Sequence, residues 1–249
     1  MKLTRWIPVP PLLQMKRILG VQPHPDDLEL AAGATVALLA QQGAEVAYVT
    51  VTDGAAGSSD PALVGPRLAE LRRAEQERAA EVLGVRELFW LNFPDGGNWT
   101  EDEVREALVE VIYRFQPEAV LLPDPWLPYE AHPDHRRVGL AGAAACLLGH
   151  LPALHRGRPE PLPPPIQAAA FYATRFPNTW VGVEKTWEQK LQALRCHASQ
   201  FPPLVWEQVL RYLEFMARRY GRGHGGGRRE AFKVLFPYQM HFFVDALDL

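Results

Sequence analysis

The stretch Gln22-Pro23-His24-Pro25-Asp26-Asp27-Leu28-Glu29 decides how this chain reads. Ahead of it stands Arg17-Ile18-Leu19-Gly20-Val21, a short apolar run with the character of a buried strand. Behind it, Leu30 to Ala40 is rich in Ala and Leu and predicts a helix. One histidine and two aspartates therefore sit where a first strand hands over to a first helix. In an open α/β sheet that junction lies at the carboxyl end of the strands, where ligands bind. A His and an Asp there can grip a divalent ion, which leaves the second Asp free for chemistry.

The pattern repeats outward from this point. Glu45 to Val51 is a second strand, ending in Thr52-Asp53-Gly54. Leu68 to Leu83 has helical spacing through Leu68, Leu71, Ala74, Arg78 and Val82, and Gly84 stops it. Glu87 to Leu91 is a third strand that runs into the turn-forming loop Asn92 to Asn98. A helix follows to Phe115, with Thr100 as its N-cap and Glu103 completing a capping box. Ala119 to Leu122 is a fourth strand. Strand and helix thus alternate four times, which argues a parallel sheet with helices on both faces. The fourth strand leads to His132-Pro133-Asp134-His135, and Val138, Ala141, Ala145 and Leu148 continue as a helix. This second chemical cluster also follows a strand and opens a helix, so the two clusters can lie side by side although they are far apart in the chain.

Beyond the proline-rich connector Pro159 to Pro165, strands are expected at 168–174 and 180–183, helices at 186–198 and 204–220, and a last strand at 230–236. The expected fold is α/β, a Rossmann-like, mostly parallel sheet with a C-terminal lobe over the strand ends. Residues 1–15 read as an N-terminal extension and 16–249 as a single domain, with the lobe covering about 166–249.

Composition narrows the classes. At 249 residues with 47% apolar content, a sizeable core is available. A formal net charge of −3 gives no electrostatic case for nucleic acid or an anionic membrane. No apolar run approaches the roughly 18 residues that span a bilayer. Two cysteines, Cys146 and Cys196, stand far apart and outside any C-x-x-C pattern, which suits a reducing, cytoplasmic setting.

A catalytic zinc site commonly offers three protein ligands and one open position for water. His24, Asp27 and His135 would supply two imidazoles and a carboxylate. A divalent ion lowers the pKa of the water it holds toward roughly 7. Asp26 could take the proton of that water and deliver it to a leaving amine. His132, held in one tautomer by Asp134, could donate to a developing oxyanion. From the residues alone, the reading is metal-assisted hydrolysis of an amide, ester or phosphate. Blander roles remain for several groups: Asp27 as a helix cap, Asp134 as a partner of a helix dipole, Asp53 as ordinary turn chemistry, and Arg72 and Arg78 as a solvated face. His197 reads as a structural histidine. The tryptophans read mostly as core, although Trp126 and Trp99 sit on loops at the expected site end.

His24-Pro25-Asp26-Asp27, Thr52-Asp53-Gly54, Arg73-Ala74-Glu75 and His132-Pro133-Asp134-His135 resemble, in order and spacing, the PIG-L/LmbE-like superfamily of zinc-dependent N-acetylglucosamine deacetylases. Lys190, His197-Ala198-Ser199-Gln200 and Glu230-Ala231-Phe232 look most like the branch that deacetylates N-acetylglucosaminyl malate on the way to bacillithiol. The resemblance implies His24, Asp27 and His135 as zinc ligands, Asp26 as general base, and His132 at the oxyanion with Asp134 orienting it. It makes Arg73 a candidate for gripping the substrate; Asp53, Tyr129 and Trp126 are further candidates. Leu28 stands where many members carry Glu, and Glu130 where some carry a tyrosine. The implied reaction is removal of the N-acetyl group from a small GlcNAc conjugate by a homo-oligomeric enzyme. Zinc is the implied metal, although the ligand set also suits Fe(II), Mn(II) or Co(II). The rivals are an amidase or deacetylase of another glycoside or thiol conjugate, and a non-catalytic sugar- or nucleotide-binding module.

Overall fold

A computed structural model describes residues 6–249. Seven strands form one sheet: β1 (Arg17–Gln22), β2 (Glu45–Thr52), β3 (Glu87–Phe93), β4 (Ala119–Pro123), β5 (Ala168–Tyr172), β6 (Thr179–Gly182) and β7 (Arg229–Leu235). Their spatial order is β3-β2-β1-β4-β5-β7-β6. The first five pair in parallel, and β7 runs antiparallel between β5 and β6. Six α-helices among the described residues accompany them: α1 (Asp27–Gln41), α2 (Pro66–Leu83), α3 (Glu101–Phe115), α4 (Pro133–Leu148), α5 (Trp187–Cys196) and α6 (Pro203–Gly221).

Parallel strands buried on both faces need apolar side chains in both directions, and Ile18, Leu19 and Val21 of β1 are all sealed. One core gathers α1, α2, α5 and α6 on one face of the sheet. The other gathers α3 and α4 on the opposite face. The chain goes to opposite faces after β1 and after β4, yet these two strands are hydrogen-bonded neighbours. Such a switch point opens a crevice at the carboxyl ends of the strands. The two clusters read from the sequence are the loops that line it.

Local signals hold where they were strongest. Thr100 accepts the Glu103 N–H and Glu103 returns to the Thr100 N–H, a complete capping box. Gly84 closes α2 with φ 80°, which costs glycine nothing. The two helices that follow the His-Pro-Asp motifs begin earlier than expected. Asp27 opens α1, and His132 caps α4, so His135 lies in its first turn.

The C-terminal third does more than form a lobe. Its strands β5, β7 and β6 extend the sheet, and α5 and α6 form the helical part. Lys190 of α5 donates to the Leu30 carbonyl at 2.7 Å and to Glu230 of β7 at 2.6 Å, which ties this lobe to α1. Glu75 of α2 accepts from the Ser199 N–H and hydroxyl at 2.8 and 2.6 Å. Of the stretch read as an extension, residues 1–5 lie outside the described residues. Leu12 and Met15 from its remainder are buried in the α1-side core. No helix among the described residues is long and apolar enough to cross a membrane.

Candidate active site

The loop after β1 and the first turns of α1 and α4 bring His24, Asp27 and His135 together, with ligand atoms within 4.8 Å of one another. The atoms divide in a way that decides their roles. His24 turns Nδ1 toward Asp27 Oδ2, 3.2 Å away. His135 turns Nε2 toward Asp27 Oδ1, 3.4 Å away. Each imidazole then hands its other nitrogen to a carboxylate. His24 Nε2 lies 3.1 Å from Asp95 and 3.3 Å from Asp134, and His135 Nδ1 lies 3.2 Å from Glu130. Metal-ligating histidines behave in this way, because the second carboxylate fixes the ring and raises its basicity. The donor set of two imidazoles and one carboxylate therefore fits a divalent ion. A second grouping of His24, Asp95, His132 and Asp134 also satisfies the distances. There, however, Asp134 is already committed to the Gly96 N–H at 2.9 Å and to Arg137 at 2.7 Å.

The charges follow from the same geometry. Burial works to lower the His24 pKa, but hydrogen bonds to Asp134, Asp27 and Asp95 outweigh it and raise the imidazole well above its ordinary range. Burial works to raise Asp27, yet His135 and His24 hold its carboxyl well below the usual carboxylate range. Asp26 goes the other way. Burial pushes it up to about 8, helped by the charges of Asp27 and Glu29 and restrained by Arg72 and His24. Asp26 also has φ 110°, rare for a residue other than glycine. Such backbone costs on the order of 1–3 kcal/mol and persists where the surroundings over-determine it.

His132 lies beside both ligand histidines, its ring 4.7 Å from that of His24 and 4.8 Å from that of His135. Burial and the two neighbouring histidines, His24 and His135, lower its pKa. The expectation that the Asp134 carboxylate orients it is corrected here. His132 Nδ1 accepts the Asp134 backbone N–H at 3.3 Å, because His132 is the N-cap of α4. That bond leaves the proton on Nε2. The carboxylate of Asp134 serves His24 instead.

A cleft of about 340 Å³ opens over these groups, walled by His24, Asp26, Arg72, Asp95, His132 and Gln200. The four residues expected at the substrate do not wall it. Arg73 points outward, bonded to Asn92 at 2.6 Å and lying over the Trp90 ring. Asp53 accepts the Ala55 and Asp95 N–H groups at 3.0 and 3.1 Å, which is turn chemistry that also sets the Asp95 loop. Trp126 lines a separate apolar cavity with Phe171. Tyr129 is fully exposed. Trp99 is core, donating to the Pro94 carbonyl under the Arg137 guanidinium. His197 is a sealed histidine, pushed down to about 3 by burial, with Arg72 and Arg78 adding to the effect.

Arg72 is the arginine of this site. It is buried, 3.5 Å from Asp26 Oδ1, and donates to the Gly54 and Pro25 carbonyls at 3.1 and 2.7 Å. The expectation of a solvated face placed the buried stripe of α2 one residue off. The stripe runs Leu68, Arg72, Gln76, Ala79 and Leu83, and its polar members hide the period. Gly57 leaves room for the guanidinium, since a Cβ there would lie 2.3 Å from Arg72 Nη1. Asp95 and Glu130 were also missed. Asp95 follows β3, so the strand-end rule that singled out His24 applies to it too.

A cage of two imidazoles and one carboxylate, with a second carboxyl beside it, belongs to the metal-dependent hydrolases. The chain is a member of the PIG-L family: residues 19–146 match the family described as GlcNAc-PI de-N-acetylase, and the enzyme is a metal-dependent amide hydrolase. It is 42% identical over 233 residues to the diacetylchitobiose deacetylase of Thermococcus kodakarensis, covering 93% of this chain and 87% of that one. The structure of N,N'-diacetylchitobiose deacetylase from Pyrococcus horikoshii, complexed with its inhibitor MPG, superposes with a TM-score of 0.87 at 38% identity, covering 94% of this chain and 90% of that one.

These likenesses overturn the expected bacillithiol branch. A probable N-acetyl-alpha-D-glucosaminyl L-malate deacetylase 2 of Bacillus anthracis is 29% identical over 212 residues, 79% of this chain and 87% of the relative. Of the features that suggested the branch, Gln200 walls the cleft, whereas Lys190, Ser199 and Glu230 are structural ties. Lys190 with Glu230, and Ser199 with Glu75, join elements inside the protein, and none of the four walls the cleft.

Proposed function

We propose that this chain removes an N-acetyl group from a short GlcNAc oligosaccharide of the diacetylchitobiose type, with zinc as its metal. One observation carries the reading: Asp26 and His132 both wall the open polar cleft beside the His24–Asp27–His135 cage. The likeness to two diacetylchitobiose deacetylases supports the substrate class. A cleft walled by Arg72, Asp95 and Gln200 suits sugar hydroxyls better than an apolar acyl chain.

His24, Asp27 and His135 would hold the ion, which when bound supplies Lewis acidity and acidifies a water beside it. Asp26 takes a proton from the water as its oxygen bonds to the acetamido carbonyl carbon. His132 presents Nε2–H to the carbonyl oxygen as that oxygen becomes anionic. The C–N bond then breaks, and Asp26 returns its proton to the departing amine. Acetate and a free glucosamine amine are the products. An acid–base group with a pKa near the working pH can take and return a proton in one cycle.

Self-association is part of the proposal, because α6 presents Leu204, Tyr212 and Phe215 to solvent. A reducing, cytoplasmic setting suits the free Cys146 and Cys196. Acetate release from N,N'-diacetylchitobiose by zinc-loaded protein, beside N-acetylglucosamine and the Fe(II)-, Mn(II)- and Co(II)-loaded forms, tests substrate and metal. No release from the disaccharide by any form rejects the substrate class.

A further inference from the structure

One face of α2 grips both ends of the Pro25–Asp26 peptide. Arg72 Nη2 donates to the Pro25 carbonyl at 2.7 Å, and the Asp26 N–H donates to Gln76 Oε1 at 3.2 Å. Arg72 and Gln76 are one helical turn apart, and both are buried. The peptide they hold leads directly into the φ 110°, ψ −23° backbone of Asp26. With that peptide plane fixed from both sides, φ decides where the Asp26 Cβ and carboxyl point. A non-glycine residue leaves such a conformation once its restraints are lost.

Gln76 is itself held in one orientation. Its Oε1 accepts from Gln22 Nε2 at 2.8 Å as well as from Asp26, and its Nε2 donates to Glu29 Oε1 at 2.8 Å. Gln22 is fixed in turn, donating to Thr50 Oγ1 at 2.9 Å and accepting the Leu28 N–H at 3.1 Å. A flipped Gln76 amide would set its NH2 against two donors. The three side chains Gln22, Gln76 and Glu29 are fully enclosed, and this layer connects β1, β2, α1 and α2 behind the cleft. Gln76 does not wall the cleft, and its bond to a residue that does is the one to Asp26.

We propose that Gln76 is a positioning residue for the deacetylation: by accepting the Asp26 N–H it fixes the strained peptide that aims the Asp26 carboxyl at the reacting water. This rests on Asp26 acting as the base in the reaction proposed above. Two variants remove the acceptor. Gln76→Met keeps the length without polar atoms, and Gln76→Asn keeps an amide that ends one methylene short. With N,N'-diacetylchitobiose as the probe, kcat falls on the order of 10–100-fold in both. KM stays within twofold, and zinc remains at one per chain.

The exchange Gln76→Glu with Glu29→Gln rebuilds every hydrogen bond of the layer, and it restores kcat to within about fivefold of wild type. Wild-type kcat in a folded, zinc-loaded Gln76→Met or Gln76→Asn overturns the inference. So does a loss carried by KM, or an exchange variant as slow as Gln76→Met. A crystal structure of Gln76→Asn reads the geometry without any substrate. Relaxation of Asp26 to negative φ supports the inference, and φ unchanged near 110° overturns it. That arm remains decisive even if the wild type leaves diacetylchitobiose intact, so failure of the substrate reading and failure of this one are told apart.

Discussion

Asp26 and Asp27 are consecutive and both enclosed, yet their carboxyls are driven in opposite directions, Asp26 up to about 8 and Asp27 well below the usual range. Burial alone would raise both. The difference is where each side chain points. Asp27, in the first turn of α1, reaches His24 and His135. Asp26, at φ 110°, has Arg72 as its ion-pair partner, 3.5 Å away. A pair of neighbouring acids is thereby split into a permanent anion suited to a cation and a group able to exchange a proton.

Asp26→Asn keeps the shape of the side chain and removes its proton exchange. Turnover should fall about 10²–10⁴-fold, with zinc still at one per chain by elemental analysis. Wild-type turnover would remove Asp26 from the role of base. Loss of zinc would instead place it among the ligands.

The metal-free protein should lose stability as pH rises. Asp26 has a folded pKa of about 8 against an ordinary 3.8, so between these values the folded state binds more protons than the unfolded one, and stability declines with pH. His24, raised by its carboxylates, acts in the same direction: its contribution is full below its ordinary pKa and is lost as pH rises through the folded value. Asp27 is opposite, adding stability that disappears as pH falls below the ordinary carboxylate value. With a chelator present, the melting temperature should therefore be lower at pH 8 than at pH 5, by an amount on the order of 5 °C. Asp26→Asn should flatten that decline, and an unchanged slope would show that other groups carry it.

Glu130 holds the far nitrogen of His135 and also accepts the His132 N–H at 2.8 Å. Glu130→Ala should weaken zinc affinity about 10–100-fold in a chelator competition. His135→Ala should abolish stoichiometric binding. Equal affinity in Glu130→Ala would leave the His135 ring oriented by its helix alone.

The mostly parallel sheet and the placing of both motifs at strand ends were legible because each follows from local pattern: a strand, a junction and a helix start; that β1 and β4 are neighbours was not. The cleft walls were not. Arg72 lies on a helix whose buried stripe contains an arginine, a glutamate and a glutamine, so apolar periodicity points to Leu71, which is 38% exposed. The burial of those polar groups depends on loops distant in sequence, Gly54 and Gly57 for Arg72 and Ser199 for Glu75. Likewise, the strand-end position marks Asp95 as a candidate but does not say that its partner will be His24, 3.1 Å away.

The adjacent arginines of α2 offer the sharpest contrast between side chains that composition cannot tell apart. Arg72→Ala strips a buried carboxyl of its nearest cation and leaves the Pro25 and Gly54 carbonyls without their donor. It should destabilise the protein by about 3 kcal/mol and lower turnover as well, since removing the guanidinium raises Asp26 further and frees its peptide. Arg73→Ala gives up one bond to Asn92 and a stack on Trp90 at the outer surface. Its cost should stay below about 1 kcal/mol, with turnover near wild type. Denaturant midpoints and acetate release for the two variants check both statements. If Arg73→Ala proved the more damaging, the cleft would extend around α2 to the recess that Arg73 shares with Asp53 and Trp90, and the substrate would have to reach it.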